Sequence, residues 1–89
     1  MTRGFVVEST PGKYMSHTYF WYGGHPGIHC ARVHREEDLR ALFFSRTTNL
    51  DTWDERPQTV YPAMFDGRET VITGDPMPFD TFLASLEPA

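Results

Sequence analysis

Apolar and polar positions alternate along the first third of the chain with the period of two that extended strands impose. Residues 4–9 place Phe5 and Val7 on one face and Val6 and Glu8 on the other. Thr10-Pro11-Gly12-Lys13 then has the makings of a type II turn. Proline fixes φ at the first central position, and glycine accepts positive φ at the second. Residues 14–22 read as one long aromatic strand, with Met15, His17, Tyr19 and Trp21 opposite Tyr14, Ser16, Thr18, Phe20 and Tyr22. Neither face is polar, which predicts a central strand, or a sheet with one face covered and the other in contact with a partner. Gly23-Gly24-His25-Pro26-Gly27 is a turn cluster. Residues 28–34 resume as a strand, with Ile28, Cys30, Arg32 and His34 opposite His29, Ala31 and Val33.

Over residues 35–46 the period changes to that of a helix. Glu36, Glu37 and Asp38 suit the positive end of the helix dipole and Arg46 the negative end. Leu39, Leu42 and Phe43 form the i, i+3, i+4 face that packs on a sheet. Residues 47–57 are irregular, polar and acidic, with one large apolar residue, Trp53. Residues 58–65 read as a strand in which Pro62 marks an edge or a bulge. Asp66-Gly67 is the strongest hairpin signal and leads into a strand at 68–73. Pro78 fits a first helical position, and Phe79, Phe82, Leu83 and Leu86 follow at helical spacing. The order is β-β-β-α-β-β-α. It predicts a single small α+β domain over residues 1–89, an antiparallel sheet of about five strands with two helices on one face.

Length supports that reading. A chain of 89 residues buries roughly 64% of its unfolded surface, enough for one core and too little for a second lobe. No apolar run approaches the ~20 residues of a membrane span. The first residues lack a secretory pattern, and the lone Cys30 excludes an internal disulfide framework. Both point to the cytoplasm, and with no H-E-x-x-H, G-x-S-x-G, phosphate-loop or dinucleotide-binding pattern in the sequence the chain is expected to work without a cofactor. The net charge of −4 hides an asymmetry. Residues 1–46 carry six Arg and Lys against four Asp and Glu (net +2), and residues 47–89 carry two against eight (net −6). Such a division steers a charged partner or favours self-association, so a homodimer is one expected state.

Two groups of residues could carry chemistry. His25, His29, Cys30 and His34 fall within ten residues and are all zinc-ligand types. Strand alternation puts Cys30 with His34 but turns His29 away, and the paired spacing of reliable zinc sites is missing. A metal or histidine-dependent site there is therefore the alternative reading. Cys30 would need His34 or His17 as a base to act as a nucleophile. The second group is aromatic. Tyr19 and Trp21, with Arg32 on the next strand, resemble a platform for stacking single-stranded nucleic acid, but the acidic net charge opposes phosphate binding. Phe44 lies about 100° around its helix from Phe43, among charged positions. Trp53 is flanked by Asp51, Asp54 and Glu55.

Large aromatics amid charges anchor protein interfaces. The expected function is a non-enzymatic protein-binding module or inhibitor. Its contact surface would comprise Tyr19, Trp21, Phe44, Asp51, Trp53, Asp54 and Glu55, facing a protein with a basic or nucleic-acid-binding surface. Size and character match small inhibitors encoded by phages or mobile elements against host defence proteins, of the anti-CRISPR kind; the analogy is to that class as a whole.

Overall fold

A computed structural model describes residues 1–16, 31–44 and 56–86 in full and residues 19–22 as backbone. The alternating N-terminal stretch forms the centre of the sheet. Strand β1 (Thr2–Glu8) pairs antiparallel with β4 (Thr59–Phe65) along its whole length, from Thr2↔Phe65 to Glu8↔Thr59. Strands β2 (Lys13–Ser16) and β3 (Tyr19–Tyr22) extend the sheet on one side, and β5 (Thr70–Ile72) on the other. The order is β3-β2-β1-β4-β5, and a two-residue β6 (Met77–Pro78) also pairs with β4. With helices α1 (Glu36–Phe43) and α2 (Phe79–Leu86), this is the α+β architecture expected from the pattern.

Both helices lie on the face formed by Val7, Met15 and Val60. Leu39 and Phe43 of α1 and Phe79, Phe82 and Leu86 of α2 are buried against it. Ring contacts tie the layers together: Phe5 and Phe82 lie 4.8 Å apart, and Phe43 meets Phe79 edge-on at 5.1 Å. Such pairs add about 0.5–1.5 kcal/mol each beyond the burial of their area. The start of α2 is fixed by a chain of backbone bonds. Gln58 N–H donates to Glu8 C=O, and Phe79 N–H donates to Gln58 C=O, each at 2.8 Å.

Four details differ from the sequence reading. First, residues 14–22 are two strands, with Ser16 opposite Tyr19 and Tyr14 opposite Trp21. The reversal changes the parity, so Trp21 stands in register with Tyr14 and Phe20 with Met15, the opposite of what one continuous strand would give. Second, residues 31–33 are not a strand. They run across the face of the sheet away from the helices, where Ala31 and Val33 pack on Val6, Tyr14 and Ala63. Arg32 is therefore exposed on a strap and not on a strand beside the aromatic one.

Third, Pro62 sits in the interior of the sheet. Its carbonyl accepts Thr73 N–H at 2.9 Å, so the donor it lacks belongs to the side facing β5 and β6. That position falls between the two, since β6 pairs with Thr59 and Val60 and β5 begins at Ala63, so the bonding to β1 is undisturbed. Fourth, the Asp66-Gly67 hairpin is wider than a two-residue turn. Phe65 pairs with Thr70, and the Asp66 carboxylate accepts the amides of Arg68 and Glu69 at 2.8 and 2.9 Å. The Thr10–Lys13 turn forms as expected. Lys13 N–H reaches Thr10 C=O at 2.9 Å, and Gly12 takes a φ of 92°.

Candidate interaction surface

Helix α1 begins with three acids that complement its dipole, and the backbone carbonyl of Arg35 caps it by accepting the amides of Asp38 and Leu39. The Arg35 guanidinium bridges Glu37 at 3.2 Å and Asp38 at 3.1 Å. At the other end Arg40 Nε–H donates to Leu86 C=O at 3.2 Å, binding α1 to the C-terminus of α2. With the helix clamped at this point, two consecutive phenylalanines part company. Phe43 enters the core, while Phe44, whose amide donates to Arg40 C=O, remains 40% exposed. The turn of about 100° per residue separates them.

Of the other proposed contact residues, Tyr19 and Trp21 lie on β3, which ends the sheet order, opposite Ser16 and Tyr14. Asp51, Trp53, Asp54 and Glu55 lie outside the described residues, as do His25, His29 and Cys30 of the alternative metal group. Its remaining member, His34, is buried. The His34 ring Nε2–H donates to Met15 C=O at 2.9 Å, and its backbone exchanges two bonds of 2.8 Å with Phe5. Strand β2 pairs with β1 only at Glu8↔Tyr14, and His34 occupies the edge of β1 beyond that point. Its ring is thus committed to joining the strap to β2. Among the described residues no three His, Cys, Asp or Glu side chains are placed to hold a metal ion.

One polar group that periodicity did not single out is the Glu8 carboxylate. Strand alternation marks Glu8 only as a position on the second face of β1, yet it is 7% exposed. It accepts Tyr61 O–H at 3.2 Å and Gly12 N–H at 3.4 Å, and it also holds Tyr14 O–H. The Tyr14 phenol is pushed up to about 12, first by burial and then by the Glu8 charge and hydrogen bond. Tyr61 is raised by the same causes. The signal in the sequence is the place of Glu8, between a buried valine pair and the turn whose glycine it bonds. Its partners are all donors, so the group ties the turn to β4 as a structural acceptor.

Comparison with known protein families, characterised proteins and solved structures gives no match. No helix among the described residues is long and apolar enough to cross a membrane.

Proposed function

We propose that this chain is a non-enzymatic protein-binding module that acts by surface contact as an inhibitor or adaptor in the cytoplasm. The reading extends to inhibitors encoded by a phage or mobile element against a host defence protein. The observation that carries it is Phe44. Phe44, at the end of α1, is exposed, and in the sequence it precedes Asp51, Trp53, Asp54 and Glu55 by only seven to eleven positions. Aromatic side chains set among charges are the residues from which interface hot spots are built, and truncating one costs about 2 kcal/mol or more of binding. The acidic character of residues 51–55 favours a partner with a basic or nucleic-acid-binding surface.

Affinity capture with the full chain tests the reading when wild type is compared with Phe44→Ala and Trp53→Ala. The expected result is one captured protein that both substitutions lose, with melting unchanged for Phe44→Ala. Equal capture by all three chains removes this surface from the interface.

A further inference from the structure

The sequence holds one Asp-Gly pair, Asp66-Gly67, and the fold sets it between β4 and β5, where residues 65–69 are all exposed. Gly67 takes a φ of 99°, and no atom stands within 4 Å of the place a Cβ would occupy. What restrains the pair is the bonding of the carboxylate. Asp66 Oδ1 accepts Arg68 N–H at 2.8 Å and Glu69 N–H at 2.9 Å, and Asp66 N–H donates to Glu69 C=O at 3.2 Å. The amides of Glu69 and Arg68 hold the carboxyl below its ordinary range and so in its ionised form. The other described aspartates are placed differently. Asp38 and Asp80 lie within helices, before Leu39 and Thr81, and Asp75 precedes Pro76, which has no N–H.

We propose that Asp66 is a modification site of this chain, closing to a succinimide with Gly67 when the β4–β5 turn opens and reopening as isoaspartate. In ring closure the Gly67 amide nitrogen bonds to Asp66 Cγ, and the carboxyl hydroxyl leaves as water with the amide proton. Water then adds to one of the two ring carbonyls. Cleavage at Cγ restores aspartate, and cleavage at the α-carbonyl gives isoaspartate. Water is the only co-reactant, and nothing is oxidised or reduced. Glycine suits the step because it has no Cβ to crowd the ring. The folded turn opposes it in two ways. Its amide bonds fix the carboxylate in place, and they favour the ionised form, whereas the hydroxyl leaves from the protonated one. Reaction therefore runs through local opening of the turn. In the product the main chain passes through Cβ and Cγ and is one atom longer. The carboxyl that accepted Arg68 and Glu69 has become a peptide carbonyl, so the turn that joins Phe65 to Thr70 does not re-form.

Ageing the full chain in heavy-oxygen water tests this, with one sample folded and one unfolded in guanidinium chloride at the same mildly acidic pH. Digestion and electron-transfer fragmentation then locate isoaspartate and the oxygen taken up. The unfolded chain is expected to form isoaspartate first at Asp66, with one heavy oxygen in the product. The folded chain should do so at least about tenfold more slowly, since two hydrogen bonds to a charged acceptor must break first. Unfolded Gly67→Ala should lose most of the product. After refolding, the isoaspartyl fraction should unfold at lower urea than the unchanged fraction of the same sample. Equal rates in the folded and unfolded chains overturn the proposal. So do isoaspartate appearing first at another aspartate or nowhere, product without heavy oxygen, an undiminished yield from Gly67→Ala, and a refolded isoaspartyl chain with the ordinary urea midpoint.

Discussion

Gly4 lies directly beneath the carbonyl of His34, so close that a Cβ at Gly4 would overlap that oxygen and also crowd the Cα of Arg35. The strap crosses β1 at the one residue without a side chain. Positive φ belongs to Gly12 and Gly67, so the demand at Gly4 is for space and not for an unusual torsion. Because the opposing atoms are backbone, they cannot rotate away. Gly4→Ala is expected to destabilise the fold by about 3 kcal/mol, the upper part of the range for overpacking. Urea denaturation measures it, and an unchanged midpoint would show that the strap does not pass over β1 in this way.

The His34 ring should contribute separately from its backbone. His34→Leu keeps an apolar body of similar size but leaves Met15 C=O buried without its donor, at a cost of about 1–3 kcal/mol. Hydrogen exchange distinguishes the two roles. Phe5 N–H, which bonds the His34 backbone, should stay protected while global stability falls. Stability equal to wild type would count against the ring contact.

Alkaline pH should act through Glu8 and its two tyrosines. The folded state raises Tyr14 from 10.0 to about 12 and Tyr61 in the same direction, so the fold favours the neutral phenols. This stabilisation is complete below the ordinary value of 10.0 and is lost as pH rises through about 12. An ultraviolet titration should show a delayed tyrosine component. Glu8→Gln should bring it part of the way back, since burial, the first cause, remains. A single tyrosine transition near the ordinary value would contradict the cluster.

The β4–β5 turn should respond at the opposite end of the scale. Backbone amides of Glu69 and Arg68 hold the Asp66 carboxyl below its ordinary 3.8. Its contribution is present above that value and disappears as pH falls through the lower folded-state pKa. Asp66→Ala should therefore be less stable than wild type near neutrality, with the difference closing in acid. A difference that stays constant with pH would assign the effect to the backbone alone.

The helices were legible because their apolar residues recur at a spacing that only one packed face explains: Leu39, Leu42 and Phe43, then Phe79, Phe82, Leu83 and Leu86. Residues 14–22 misled because the positions between Ser16 and Tyr19 hold His17 and Thr18. Neither is a turn-forming type, so an unbroken run of rings looked like one strand. Of the strand expected over 28–34, the described part, residues 31–34, misled for another reason. An extended strap alternates as a strand does, and whether it finds a ladder depends on which edge of β1 is vacant. That depends on β2 pairing at Glu8↔Tyr14 alone, a long-range fact with no local signature. The exposure of Phe44 was legible from helix geometry. The packing of Ala31 and Val33 on Ala63 was not, because these residues meet only in the folded chain.

The most direct test of the interface centred on Phe44 is amide hydrogen exchange of the chain alone and bound to its captured partner. Binding at this surface predicts new protection over residues 40–44 at the end of α1, continuing into the acidic stretch that holds Trp53. Protection confined to other parts of the molecule, with residues 40–44 exchanging as in the free chain, would contradict it.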